Sequence, residues 1–369
     1  MQLKKTGLCA ALCALALLGG CASPLTNKSA DEATRKVVIQ NWNSRGYNID
    51  ADIGFDELRM AKPKHADEEV SELEMTEVMD QVARSMRFSV KGALDASGGR
   101  LELIPALRLE RRNLLVSVQL PLQFHAKDMS LLVDPSAAYL FLPDLRPYEG
   151  KFLRVRLPQR VADNFPLKAM YQAMPKLLDE AYAKVDKQAF SFQPLDERAR
   201  ELGARYQLRI AMNHAQENQL ATHIVDGLIK VAQQEAARKP QLKPGPLGSE
   251  SLLQLIKSLL SVTEANPLNS NTVSDLYVSR GGDLLAIRQT IRFNSPDFRG
   301  QAHADIRYSH LGKPVFAFQP GAADIVDLEQ LEKPEWLKPL GLALRALDQP
   351  PAAAGEGAAE TAPDASAAQ

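Results

Sequence analysis

A period of two dominates both ends of the chain. Tyr47, Ile49, Ala51, Ile53 and Phe55 alternate with Asn48, Asp50, Asp52 and Gly54, which specifies a strand with one face toward a core and one toward water. Phe88, Val90, Gly92 and Leu94 repeat the pattern. Ser97-Gly98-Gly99-Arg100 then reads as a hairpin, because glycine reaches the positive φ of tight turns. Leu101 and Leu103 begin the return strand, with a bulge expected near Pro105 before Leu107 and Leu109. A turn at 111–113 leads into a strand through Leu114, Val116, Val118, Leu120 and Leu122, and shorter strands are expected at 131–133, 139–142 and 152–157. The first half is thus an antiparallel meander.

In the middle the period becomes helical. Leu167, Met170, Met174, Leu177, Leu178, Ala181 and Val185 form one apolar stripe, with a kink or break expected at Pro175. Tyr206, Leu208 and Ile210 suggest a strand, and 214–238 a second helix striped by Leu220, Ile224, Leu228 and Val231. A connector rich in proline and glycine at 240–248 precedes a short helix capped by Ser249. Strands return at 276–278 and 285–293 around the two-glycine turn 280–283, then through Ala302, Ala304, Ile306 and Tyr308, with 315–318 pairing after a turn at Gly312-Lys313. Near the start, Ser29 and Asp31 offer caps for a helix through Val37, Val38 and Ile39. A helix is expected to begin in the charged stretch 62–77 and run through Val78, Met79 and Val82, and 327–347 is expected to be partly helical.

The first twenty residues form a separate unit. Lys4 and Lys5 precede an apolar run from 7 to 18, the charged and hydrophobic regions of a secretory signal peptide. The run is shorter than the roughly 20 residues that span a bilayer. It closes on Leu18-Gly19-Gly20-Cys21, which resembles the lipobox of bacterial lipoproteins. That resemblance implies recognition of Leu18, Gly19 and Gly20 by the lipoprotein signal peptidase. It also implies acylation of Cys21, first on sulfur and then on nitrogen, and anchoring in a bilayer. The alternative is an ordinary signal peptide cut near Ala22. Cys9 and Cys13 fall inside the leader, so Cys21 would be the one cysteine of the mature chain and no internal disulfide is expected. Ala22 and Ser23 lack the aspartate that retains enterobacterial lipoproteins in the inner membrane, which favours the outer membrane, facing the periplasm.

Composition excludes more than it proposes. With 44 basic and 45 acidic residues there is no long-range field to recruit nucleic acid. Aromatics make up 6% of the chain, so its interior is aliphatic, as suits either a dry core or a lipid-lined cavity. Neither Gly-x-Ser-x-Gly nor a phosphate-binding glycine loop occurs, no cofactor is expected, and no reaction is legible. His65, His125, His214, His223, His303 and His310 show no metal-ligand spacing. His214 and His223, nine apart on one helix, would project to opposite sides, so no metal is expected. Asp50 and Asp52 share the polar face of their strand and read as solvated, as do Arg108, Arg111 and Arg112 at a turn, with a phospholipid headgroup as the other reading for the arginines.

Residues 307–315, Arg-Tyr-Ser-His-Leu-Gly-Lys-Pro-Val, together with the strand-turn-strand at 276–293 and the order of meander, helices and meander, resemble the Lol-type lipoprotein carriers and related lipid-carrier lipoproteins. The resemblance implies an α+β fold: a strongly curved antiparallel sheet, an open or half barrel, closed on its concave side by helices. Acyl chains would lie between the two layers, lined by Ile49, Ile53, Val116, Val118, Met170, Met174, Leu177, Ile287 and Ile306. The competing reading of the same stripes is ordinary core packing. The chain divides into a leader at 1–20, a lipidated tether and short helix at 21–44, the Lol-like domain at 45–348 and an Ala/Pro/Glu-rich tail at 349–369 expected to be disordered. The function expected is a non-catalytic, outer-membrane-anchored carrier of a lipid or acylated ligand. The alternative is a lipid-tethered scaffold with a fully packed core that contacts other envelope proteins.

Overall fold

The computed structural model describes residues 23–60, 80–111, 113–139, 142–157, 162, 165–238, 257–258, 269–295 and 298–328. The leader, Cys21, most of the helix expected from 62 onward, the connector at 240–248, nearly all of the helix after Ser249 and the segment beyond 328 lie outside them.

The described residues form a mixed α+β structure around one sheet of 13 strands. In chain order these are β1 Gly46–Met60, β2 Met86–Asp95, β3 Arg100–Arg111, β4 Leu114–Gln119, β5 Leu122–His125, β6 Ser130–Val133, β7 Phe152–Arg156, β8 Phe190–Gln193, β9 Tyr206–Asn213, β10 Asn269–Val278, β11 Leu284–Asn294, β12 Phe298–Ser309 and β13 Ile325–Asp327. Their spatial order is β13-β7-β6-β5-β3-β2-β1-β12-β11-β10-β9-β8, with β4 beside β3, and β13 and β8 are unjoined edges, so the sheet is not closed. Every pair is antiparallel except β13 on β7. The early and late meanders meet at β1 and β12, which pair from Asn48 opposite Ser309 to Met60 opposite Phe298, with one irregularity between Phe55 and Glu57. Both two-glycine hairpins form, with Gly99 at φ 65° and Gly282 at φ 87°.

The helices that pack on the sheet are α1 Ala30–Trp42, α2 Leu167–Ala183, α3 Glu197–Glu201 and α4 His214–Arg238, and residues 80–85 are also helical. On α1, Ala33, Thr34 and Val37 are fully buried, at the i, i+1, i+4 spacing of one helix face. With Tyr182, Val185 and Leu220 they pack onto Phe190, Leu208, Ile210, Leu276 and Val278, the apolar face of β8–β10. Two reciprocal hydrogen bonds fasten α1 to α2: Trp42 Nε1 donates to the Tyr171 carbonyl (3.1 Å) and the Tyr171 hydroxyl donates to the Trp42 carbonyl (3.0 Å). Gln40 donates to the Gly281 carbonyl and to Asp283 in the late hairpin, so α1 is also fastened to the sheet. The start of α4 carries a reciprocal cap, with Gln216 N donating to Asn213 Oδ1 and Asn213 N to Gln216 Oε1, each at 3.0 Å. The short α3 lies on the opposite face of the sheet, where Ala199 packs with Tyr277 and Ala286.

Four local expectations are corrected. Helix α2 runs unbroken through Pro175. No bulge occurs at Pro105, which stays in register opposite Val90. Its carbonyl accepts from Leu120 N (3.0 Å), and a residue's N–H and C=O point to the same side of a strand. The donor that proline lacks therefore falls at the junction of β4 and β5, and the ladder to β2 loses nothing. The described ends of the stretch expected as a strand at 139–142, Tyr139 and Leu142, are not in a strand and adjoin 3₁₀ helices at Ser136–Ala138 and Pro143–Tyr148, while 140–141 lie outside the described residues. Pro135, Pro143 and Pro147 cannot donate to a ladder, and the segment folds over β7, burying Leu145 against Leu153. Residues 315–318 do not pair as a strand either. Side chains take the partner strand's place: Asn48 bonds both backbone groups of Val315, and buried Glu102 accepts from Ala317 N (2.7 Å) and Phe318 N (3.3 Å).

Two predictions follow from the packing. A Cβ at Gly227 on α4 would collide with the Leu177 side chain. Gly227→Ala is expected to destabilise by about 1–2 kcal/mol in urea unfolding, overpacking outweighing the helix-propensity gain. Combined with Leu177→Ala it should cost clearly less than the sum of the two single changes. At the β7–β13 edge, Arg154 Nε and Nη2 grip Asp327 at 2.6 and 2.8 Å and, with the Arg156 charge, hold its carboxyl below the usual carboxylate range. A depressed folded-state pKa gives stability that is present above the unfolded value, about 3.9, and lost as pH falls through the folded one. Asp327→Asn should therefore unfold more easily at pH 7 and lose less of its stability than the parent between pH 5 and pH 2.

Candidate functional site

One face of the sheet is largely apolar, interrupted on β10 and β11 by Ser270, Thr272, Ser274 and Gln289, and among the described residues the helices cover only part of it. Strict register carries the face across the strands. Ile53 lies opposite Phe88, Phe88 opposite Leu107, and Leu107 opposite Val118. In the next row Met86 faces Leu109 and Leu109 faces Val116, and the row beyond pairs Arg111 with Leu114. On the other side of Ile53 the same face continues through Ala304, and one row away through Ile306, Ile287, Leu276 and Leu208.

The two halves differ in how they are covered. Under α1, α2 and α4, Leu208 and Leu276 are essentially inaccessible. Over β2–β4 the same face leaves Phe88 40% exposed, Leu107 41%, Leu114 50% and Val116 43%. Four large apolar side chains on adjacent strands form a contiguous patch of a kind that soluble surfaces rarely leave without a use.

The sequence-derived lining residues separate accordingly. Ile53, Val116 and Val118 lie on the uncovered half, and Ile49 lies on the same face opposite Tyr308 and Gly92. Ile306 and Ile287 face each other at the border, with Ile287 packed against the helix-covered core. Met170 is buried against Ile229 and Ala232 between α2 and α4, and Leu177 meets Gly227 in that same helix interface, with Met174, half-buried, on the same helix. Both buried residues are helix-pair contacts and do not touch the uncovered patch. Phe88, Leu107 and Leu114 were not singled out from the sequence. Their alternation marked them as core-facing, and nothing local distinguishes a core-facing residue that is covered from one that is not.

A second feature is polar. A cleft of about 610 Å³ runs along α4 beside the end of α2, lined by Lys184, His214, Asn218, Thr222, His223 and Asp226, and one of about 520 Å³ adjoins it at Ser270, Asn271 and Arg292. His214 Nδ1 is 3.2 Å from Ser270 Oγ, which lies 3.5 Å from Glu217 Oε2, while Asn218 Nδ2 faces His214 Nε2 at 3.0 Å. Together with Asn218 these side chains form a half-buried polar tie between α4 and β10. Among the described residues no group of three or more His, Cys, Asp or Glu side chains is placed to hold a metal ion, and no helix is long and apolar enough to cross a membrane.

No protein-family model matches the chain, and no curated protein is similar to it. The apolar face therefore has to be read from its own chemistry.

If the β2–β4 patch is not core, truncating it should cost little. Phe88→Ser and Leu107→Ser are each expected to lower unfolding stability by less than about 1 kcal/mol, against roughly 2–5 kcal/mol for Leu208→Ala under the helices. Equilibrium urea unfolding compares them directly.

Proposed function

We propose that this chain is a lipid-anchored lipoprotein of the bacterial envelope, held at the periplasmic face of the outer membrane through Cys21, that binds or passes on a lipid or acylated ligand. The observation that supports this is the uncovered apolar half of the sheet. Phe88, Leu107, Leu114 and Val116 offer acyl chains a continuous surface, flanked by Ile53, Leu109 and Val118 on the same face. In this reading the sheet curves as an open barrel, the helices close its concave side over β8–β12, and the ligand occupies the remaining half. No catalytic role is part of this reading. No cofactor is required for holding an acyl chain, where the driving force is burial at about 25 cal/mol per Å² of apolar surface.

The test is native mass spectrometry of residues 22–369, expressed without the leader and purified without detergent, followed by lipid extraction. A stoichiometric co-purified lipid that is lost in Leu107→Glu supports the reading and names the ligand class. A clean unliganded mass that stays unchanged on incubation with envelope lipids rejects it in favour of the scaffold. Cys21 is tested separately by metabolic labelling with palmitate in the producing bacterium: label present in the parent and absent in Cys21→Ser is the outcome expected.

A further inference from the structure

Arg111 is the last residue of β3, on the same face as Leu107 and Leu109 and directly opposite Leu114. A cation therefore ends a row of otherwise apolar side chains. Its Nε and Nη2 are both out of contact with solvent and have no hydrogen-bond partner among the described residues. These two nitrogens form the side-on edge with which a guanidinium grips both oxygens of a carboxylate or phosphate. Elsewhere in this structure that same edge is used in full: Arg154 holds Asp327 with Nε and Nη2, and Arg209 holds Asp275 with Nε and Nη2, both at 2.8 Å. The neighbouring carboxylate that could have served Arg111, Glu110, is taken by Arg108 at 2.9 Å on the other face of the strand.

An unpaired, desolvated guanidinium edge is costly, and a protein surface with water nearby ordinarily relieves it. From the end of a strand beside a turn, the long side chain can swing the edge outward past Leu114. We infer that Arg111 is the headgroup anchor of the apolar face, and that the ligand is an oxyanion-headed amphiphile: one carboxylate or phosphate gripped by the Arg111 fork, with its acyl chain laid along Leu109, Val116, Leu107 and Phe88. This rests on the proposal that the face binds acyl chains and specifies which ones.

The experiment uses the full-length chain carrying Cys21→Ser, so that no attached lipid competes and the leader is common to every arm. The probes are cis-parinaric acid, a fluorescent long-chain carboxylate, and its methyl ester, which keeps the chain and removes the charge. The acid is expected to bind at least about tenfold more tightly than the ester, as a charge-assisted fork would give. Arg111→Met should erase that preference and leave ester binding unchanged, which also shows that the variant is folded. Arg111→Lys, with the charge but not the fork, should keep only part of it. Displacement of bound parinarate by a monoacylglycerol phosphate that is clearly tighter in the parent than in Arg111→Met assigns phosphate as a headgroup, and equal displacement in both assigns carboxylates alone. Equal binding of acid and ester by the parent, or an acid preference that survives Arg111→Met, overturns the anchor while leaving the apolar face intact. If neither probe binds, the proposed function falls with it.

Discussion

The pairing of β1 with β12 is the constraint on which the rest of the structure depends. The early strands form one meander and the late strands another, and neither has an internal reason to align with the other. Twelve cross-strand pairs between β1 and β12 join them at the middle of the sheet. A slip of one residue there would send Ile49, Ala51 and Ile53 to the face that carries Asp305 and Arg307. Tyr47 packed edge-on against Tyr308, with ring centroids 5.4 Å apart, ties that register to an aromatic contact. Because the partners come from opposite ends of the sequence, this contact has the largest loop-closure entropy to overcome of any in the sheet.

That junction also creates the asymmetry on which the functional reading rests. Among the described residues α2 leads into β8 and α4 joins β9 to β10, and α1, although it leads into β1, is fastened to α2, so the three helices pack over the late strands. Reciprocal bonds between Trp42 and Tyr171, and the Gln40 latch on the 280–283 hairpin, keep α1 in place there. The early meander continues the same apolar face beyond the reach of that layer. Its polar face is finished differently, by residues 315–318 strapped across β1 and β3 by Asn48, Arg100 and Glu102. The strap thus covers part of one side of the early strands with side-chain hydrogen bonds, leaving Leu115 exposed there, and the other side is apolar and partly open.

The exposed part of this apolar face is formed by Phe88, Leu107, Leu114 and Val116. It offers area without convergent polar groups, apart from one arginine at its end whose fork is unpaired. The polar cleft along α4 has titratable groups in number: His214 meets Ser270 and Asn218, and His223 meets Lys184 through Nδ1, while its buried Nε2 has no hydrogen-bond partner among the described residues.

Much of this was legible in the residue pattern. Alternation at 47–55, 88–94 and 302–308, the glycine pairs at 98–99 and 281–282, and the stripes of α2 and α4 are local consequences of side-chain period and turn sterics, and they placed the strands, both hairpins and the helices. Where proline intervened, the pattern misled. Pro105 entered a ladder because its missing donor met a strand junction, and Tyr139 and Leu142 stayed out of a strand because the neighbouring prolines had no ladder to join. The residues 315–318 looked like a strand because side-chain carboxylate and amide groups can satisfy a backbone as well as a neighbouring strand can. By itself the sequence determined which face of each strand is apolar, since that is written in every second residue. Only the tertiary structure decided which half of that face the helices cover, why Met170 and Leu177 belong to a helix pair, and that Arg111 shares a face with Leu107 and lacks a partner. Those facts depend on contacts between distant segments, and no local period encodes them.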